Sequence, residues 1–354
     1  MILIKIIKIK YKYLIKPILF RFESEKVHEW VSYIGRKTKS KGLFYKFIQI
    51  FLGKKFPENE KNVDGVKFQS LVGLAAGFDY NADLYHIIPA FGFGFTTIGT
   101  ITNQGYEGNA CPRLGRLPKS KALLVNKGFK NLGIDLILQE LKDKEFEIPT
   151  GISIGKTNIK SINTKEKATK DIIEAFQKVI NSGINFSYYE LNISCPNLHG
   201  EFSFYEEVNL RFLLENIQRL NLSQPIYIKM PIELTNEKVL KLLKVISNFK
   251  ISGVIFGNLQ KNRNDSSINQ DEIKKYKKGY PSGKPTSKRS TELIKLTKDN
   301  FDNRFTIIGC GGIFNYKDAK EKLEAGADLL QLITGLIYEG PQLVYEINYK
   351  LGKY

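Results

Sequence analysis

Eight short apolar runs, most of them followed by a stretch with helical spacing, constrain the fold of this chain more than any other feature. They lie at residues 71–76, 96–99, 151–154, 188–193, 226–229, 253–256, 306–309 and 329–333. Short runs that stay apolar at consecutive positions have the pattern of strands buried on both faces. Helical periodicity fills 164–181, 209–220, 236–249 and 315–325, and Thr164 and Thr235 stand ahead of Glu-containing first turns, as N-caps do. A repeated βα unit with eight strands predicts an α/β fold of the (β/α)8 TIM-barrel type. A doubly wound sheet is the alternative, weakened by the lack of a G-x-G-x-x-G turn after the first strand.

Such a barrel takes about 250 residues, and this chain has 354. The surplus lies at the N-terminus, so we divide the chain into a helical extension, 1–60, and a barrel, 61–354. Residues 1–20 are apolar but interrupted by Lys5, Lys8, Lys10, Lys12 and Lys16; on a helix, Lys5, Lys8, Lys12 and Lys16 share one face, opposite Ile and Leu. No run is long enough to cross a bilayer, and the cleavage site of a signal peptide is missing. The segment reads as an interfacial helix on anionic lipid, or as a docking helix or strand. Ser24 is placed to cap a helix carrying Val27, Trp30, Val31 and Ile34 on one face, and 43–52 reads as a second amphipathic helix before a polar linker, 54–64. Two such helices cannot bury a core alone; they must pack on the barrel or meet lipid.

The formal charge of +18 calls for an anionic partner, either a membrane surface or a small anion, with compositional bias as the plain alternative. Nucleic acid is not expected, because no helix-turn-helix, zinc-finger or RNP-like pattern occurs. Cys111, Cys195 and Cys310 lie far apart, which argues against a disulfide scaffold and for a reducing compartment. The histidines show no metal spacing with them, and no metal is expected.

In a barrel, chemistry gathers where strands end. The run ending at Leu191 breaks into Asn192, Ser194, Cys195 and Asn197, amides that can hold a polar heterocycle beside a thiol that can move a proton. An ordinary thiol, with a pKa of about 8.5, needs only modest tuning to act as a base. Lys229 ends another strand, where a buried ammonium implies a bound negative charge. The Gly-rich turns Gly309-Cys-Gly-Gly312 and Ile333-Thr-Gly335 follow the last two strands, the usual phosphate site of this fold. Cys310 reads as a packed residue. The long polar stretch 257–285 is either a loop that closes over substrate or a floppy insertion.

Together these residues resemble the FMN-dependent dihydroorotate dehydrogenases over nearly the whole chain. The matching stretches are Gly73-Leu-Ala-Ala-Gly-Phe-Asp79, Gly92-Phe-Gly-Phe, Ile98-Gly-Thr-Ile-Thr102, Pro112-Arg-Leu-Gly-Arg-Leu117, Gly128-Phe-Lys-Asn-Leu-Gly133, Asn192-Ile-Ser-Cys-Pro-Asn197, Ser282-Gly-Lys-Pro285 and Ile308-Gly-Cys-Gly-Gly-Ile313. Residues 19–30 are similar to the extension of the membrane-associated, quinone-using class, where it forms an apolar tunnel to the flavin; His28 and Arg116 match the quinone-site His and Arg. The resemblance implies FMN contacts at Ala76, Gly77, Tyr80, Thr100, Ser153, Asn192, Lys229, Gly257, Gly283, Gly312, Ile333 and Thr334. It implies dihydroorotate contacts at Asn126, Lys127, Gly128, Phe129, Asn192, Asn197 and Asn258, with Cys195 as the base. It also implies a peripheral protein on the cytoplasmic face of the membrane.

The chain departs from the family pattern around the substrate. Cys195 stands where the quinone class has Ser, and Tyr80 where the family has a Lys serving flavin and the substrate carboxylate. Val125 replaces an Asn, unless Asn126 serves instead; Ser153 replaces a flavin-contacting Asn, and Gly257-Asn-Leu259 replaces Thr-Asn-Thr. We therefore expect Lys127 or Lys130 to supply the missing positive charge. The competing expectations are a dihydropyrimidine without the carboxylate, a soluble acceptor such as fumarate, and a flavin-binding barrel that has lost turnover.

Overall fold

The structure, a computed structural model, describes residues 2–199 and 202–353. Gly200, which ends the cysteine-bearing stretch, lies outside the described residues. Eight parallel strands close a barrel in the order Val72–Leu74, Phe95–Ile101, Thr150–Ile154, Tyr188–Asn192, Ile226–Met230, Gly253–Phe256, Thr306–Cys310 and Leu329–Leu332. All eight coincide with the predicted apolar runs, to within one or two residues at most ends. Alternation along each strand sorts the side chains into two sets. Tyr189, Leu191, Ile226, Ile228 and Val254 face the surrounding helices, while Tyr188, Tyr227, Ile255, Ile308 and Leu329 fill the interior. Glu190, Asn192 and Lys229 lie on the same strand faces as that inner set, nearer the C-terminal mouth.

The predicted helices form as Lys165–Asn181, Glu207–Gln218, Asn236–Ser247 and Tyr316–Glu324. Thr164 and Thr235 accept hydrogen bonds from the backbone N–H groups of Lys167 and Lys238, the expected caps. The opposite end of the barrel is closed by an antiparallel hairpin, Lys61–Val63 with Val66–Phe68, whose first strand lies in the region read as linker. Its Phe68 ring meets Phe95 at 5.0 Å and Tyr188 at 6.0 Å. Asp64 in the hairpin turn accepts from Tyr227 Oη at 2.9 Å and Thr306 Oγ1 at 2.8 Å.

A small antiparallel sheet at the mouth, Leu114–Leu117, Ala122–Val125 and Tyr280–Pro281, was not predicted. It makes part of 257–285 ordered structure instead of a floppy insertion, since Tyr280 pairs with Val125 and Pro281 with Leu124. The same segment is pinned further by Glu272, which accepts from the backbone N–H groups of Lys119 and Ser120. Arg263 donates to the carbonyls of Ile273, Tyr276 and Gly279.

The extension holds the two expected amphipathic helices, Ser24–Lys37 and Leu43–Leu52, behind a helical first stretch, 2–19, with a π-helical turn at Tyr11–Ile15. Ser24 begins its helix instead of capping it; Glu23 takes the cap position without a side-chain bond. The first stretch is helix, which removes the strand alternative. It docks through Ile4, through Lys8 on Glu346 at 2.8 Å, and through Tyr11 and Lys16, which donate to the carbonyls of Ile337 and Tyr338. Its Ile2, Leu3, Ile6, Ile9, Leu14 and Ile18 are exposed, as are Trp30, Leu43, Phe44, Phe47 and Ile50 on the next two helices. Among the described residues, no helix is long and apolar enough to cross a membrane.

Candidate active site

A cavity of about 180 Å³ opens at the C-terminal ends of the strands. Small residues build its walls: Ala75, Ala76 and Gly77 after the first strand, Gly257 after the sixth, Gly311 and Gly312 after the seventh. Gly257 lies at φ +134°, and a Cβ there would collide with the Cys310 carbonyl, so the position tolerates only glycine. Gly311 and Gly312, at φ +91° and +74°, form a left-handed turn packed so closely on Thr286 and Ser287 that a Cβ at either position would collide with them. Gly283 and Thr334 complete that wall, with Ser282 Oγ and Thr334 Oγ1 2.8 Å apart.

A buried polar chain runs along one side. Asn192 Nδ2 donates to Thr100 Oγ1 at 2.8 Å, Thr100 Oγ1 lies 2.9 Å from Ser153 Oγ, and Ser153 Oγ donates to Glu190 Oε1 at 2.9 Å. Lys229 Nζ stands 3.6 Å from the same Glu190 oxygen. Burial lowers the lysine's pKa, but Glu190 outweighs it and the net shift is upward, so Lys229 keeps its charge. Ser153 supports Thr100 and Glu190 from behind and does not line the cavity. Glu190 carried no assignment from the sequence, yet the period of two puts it on the face of Asn192, beside Lys229 of the next strand.

The loop with Cys195 is clamped on both sides. Asn192 Oδ1 accepts from the Ser194 backbone N–H and hydroxyl; Asn258 Nδ2 donates to the Ser194 carbonyl at 2.8 Å; Asn197 Nδ2 donates to the Val125 carbonyl at 3.1 Å. Cys195 lines the cavity, and burial pushes its thiol up to about 12, against smaller downward pulls from the Asn197 backbone, Lys261 and Lys156. The modest tuning expected from the sequence is therefore not what the pocket provides: enclosure by the loops disfavours the thiolate. Cys310 also lines the cavity, and burial raises its pKa.

Next to this loop, the segment Lys127, Gly128 and Phe129 also lines the cavity, with Gly128 and Phe129 both at φ +64°. Asn126 does not reach the cavity; Asn109 Nδ2 donates to its Oδ1 at 3.1 Å, and Val125 takes the wall position. Asn109 also donates to the Asn197 carbonyl at 2.9 Å and accepts from Tyr106, a joint between loops that the sequence did not signal. Lys127 Nζ lies 4.3 Å from the centre of the Tyr80 ring. Burial lowers its pKa to about 8. Lys130, the other expected cation, is tied to Glu25 and Glu29 at 3.2 and 3.1 Å.

A second, mostly apolar cavity of about 330 Å³ runs between the extension and the barrel, past Val27, Val31, Ile34, Phe44, Ile88 and Phe93. His28, Phe78, Leu114, Leu123 and Ile337 wall both cavities, so the two adjoin. His28 Nε2 lies 2.8 Å from the Phe78 carbonyl and donates to it, while its Nδ1 has no hydrogen-bond partner among the described residues. Its ring stacks on Tyr80 at 5.4 Å, and burial pushes its pKa down to about 3, so it is neutral. Arg116 walls this tunnel too, donating to the Phe22 carbonyl at 2.6 Å and lying 4.6 Å over the Phe20 ring.

A family model described as dihydroorotate dehydrogenase matches residues 59–354. A protein of Christiangramia forsetii named dihydroorotate dehydrogenase (quinone) is 36% identical over 96% of this chain and 98% of its own length. One of the same name from Trichodesmium erythraeum is 38% identical over 81% of this chain and 77% of its own. Among solved structures, the ligand-free DHODH of Eimeria tenella superposes with a TM-score of 0.80 at 26% identity, covering 92% of this chain and 93% of that one. On the family match and these relatives, the chain belongs to the dihydroorotate dehydrogenase family.

Proposed function

We propose that this protein oxidises dihydroorotate to orotate in pyrimidine biosynthesis, with FMN as its bound cofactor and a membrane quinone as electron acceptor. The observation that carries the reading is the pair of adjoining cavities, one glycine-walled with asparagines and lysines placed around Cys195, the other almost wholly apolar and walled by the extension.

The residues fit FMN. A Cβ at Gly77 would meet only Ile333 Cδ1, at 3.8 Å, so the backbone presents an open face to the cavity where a flat ring can lie. Ala76, Thr100, Asn192, Gly257, Gly283 and Ile333 line the same cavity, and the side-chain-free turn at Gly311 and Gly312, with the Thr334 hydroxyl, suits the phosphate. Lys229 brings a fixed positive charge to the ring. Bound there, FMN would supply the two-electron acceptor for the hydride from C6 of dihydroorotate, with quinone as the terminal acceptor.

Asn192, Asn197 and Asn258 orient the pyrimidine, and Cys195 takes the proton from C5. A thiol held near 12 is scarce as thiolate at neutral pH but strongly basic once formed. His28 and Arg116 are the polar groups offered to a quinone head in the tunnel. The exposed apolar side chains of the extension and lysines such as Lys5, Lys10 and Lys12 suit an anionic membrane surface, with the protein peripheral on its cytoplasmic face.

An anaerobic titration with dihydroorotate, following the flavin absorption band, tests this. Bleaching that a quinone reverses supports both halves. A yellow protein that dihydroorotate cannot bleach removes the substrate, and recovery with fumarate but not quinone removes the acceptor.

A further inference from the structure

Lysines 127, 130 and 229 all line the cavity around Cys195, and their partners differ. Lys229 faces Glu190 at 3.6 Å, and Lys130 is shared by Glu25 and Glu29. Lys127 forms no ion pair and no side-chain hydrogen bond among the described residues; its ammonium rests on the Tyr80 ring at 4.3 Å. A ring quadrupole steadies a cation but does not neutralise it. An ammonium drawn out of water without a counter-charge is costly, and the cost falls when an anion enters beside it.

Its place in the cavity says which anion. The Asn109 backbone N–H donates to the Lys127 carbonyl at 3.3 Å, and the Asn109 side chain donates to the Asn197 carbonyl at 2.9 Å. Asn197 in turn holds the Val125 carbonyl, two residues before Lys127. Lys127 is thereby fixed to the loop that carries Cys195, whereas the Gly311–Gly312 turn follows the seventh strand.

The geometry points to Lys127 as the residue that recognises the carboxylate of the pyrimidine substrate, with Tyr80 as the platform that holds its ammonium. This rests on the dihydroorotate reading above. It makes the site selective for a carboxylated dihydropyrimidine over a neutral one, and it makes Lys127 a specificity residue rather than a participant in proton or hydride transfer. The charged and titratable groups around it are Glu25 and Glu29 from the helix Ser24–Lys37, Arg113 and Lys130 from the mouth, and His28 and Tyr80 beside its side chain. The first two raise its pKa and Arg113 and Lys130 lower it.

The test uses the full-length flavoprotein and its Lys127→Met and Lys127→Arg variants. Flavin content is measured first, then the dissociation constants of orotate and of the neutral orotate amide from the shift of the flavin band. The expected result is full flavin in all three proteins and orotate affinity lower by about tenfold to a hundredfold in Lys127→Met, with little change for the amide and partial recovery in Lys127→Arg. In the parent, orotate affinity is expected to fall as pH rises through about 8, where the free ammonium is lost, while Lys127→Arg stays flat there. Orotate affinity within twofold of the parent in Lys127→Met overturns the assignment and leaves the dihydroorotate reading standing. Loss of flavin from Lys127→Met, with orotate affinity kept in reconstituted protein, overturns it in favour of a cofactor contact. A parent that holds flavin, binds no orotate and is not bleached by dihydroorotate overturns both.

Discussion

At the scale of single residues, Cys195 and Gly257 show how much the pocket asks of its backbone. Burial puts the thiol at about 12, so the fraction of thiolate grows with every pH unit across the physiological range. The rate of flavin bleaching at saturating dihydroorotate is therefore expected to climb from pH 6 to 9 without a plateau, and Cys195→Ala is expected to lose about 10²–10⁴ of it while keeping its flavin. Stopped-flow absorbance reads both. Gly257→Ala forces a Cβ against the Cys310 carbonyl at a φ of +134°, and we expect about 3 kcal/mol of lost stability, seen as a lower Tm and flavin released early in a melt. Glycines in such turns, and the Asn192–Asn197 cluster, were legible because residue type alone names the need. Two things were not: that Lys127 lies on Tyr80, and that Glu190 meets Lys229. A sequence shows neither the closure of the barrel nor which of two neighbouring lysines already has a partner.

At the scale of elements, the barrel strands were legible because each is a short run buried on both faces, and the helix starts at Thr164 and Thr235 because capping is local. The hairpin at 61–68 and the small sheet at the mouth were missed for a related reason: their strands hold two to four residues, and their pairing is set by contacts distant in sequence, such as Tyr280 on Val125. The helix Ser24–Lys37 depends on a similar long-range contact. Its Glu25, only 14% exposed, is gripped by Arg113 at 2.9 Å and Lys130 at 3.2 Å. Burial raises the carboxyl's pKa, but those two partners outweigh it and the net shift is downward. A depressed carboxylate stabilises the fold above its unfolded pKa of about 4.3, and that contribution disappears as pH falls through the lower folded value. Glu25→Gln is expected to cost about 1–3 kcal/mol at pH 7. In thermal melts the gap to the parent should narrow progressively as the buffer is acidified below pH 4.

On the scale of the whole molecule, the exposed apolar side chains of the extension form a surface that includes Leu43 and Ile50, 90% and 75% exposed. Replacing both with Glu is expected to leave Tm and flavin bleaching by dihydroorotate unchanged and to cut binding to anionic vesicles at least several-fold, measured by co-sedimentation. The shared wall of His28, Phe78, Leu114, Leu123 and Ile337 has a further consequence, for supply. The cavity around Cys195 draws from a three-dimensional bath, whereas under the membrane docking proposed above the cavity walled by the extension draws from a two-dimensional one, where what counts is molecules per unit of bilayer area. Adding inert lipid at constant quinone then slows reoxidation of the flavin and leaves its reduction untouched, although nothing has changed in the concentration of either reactant per litre.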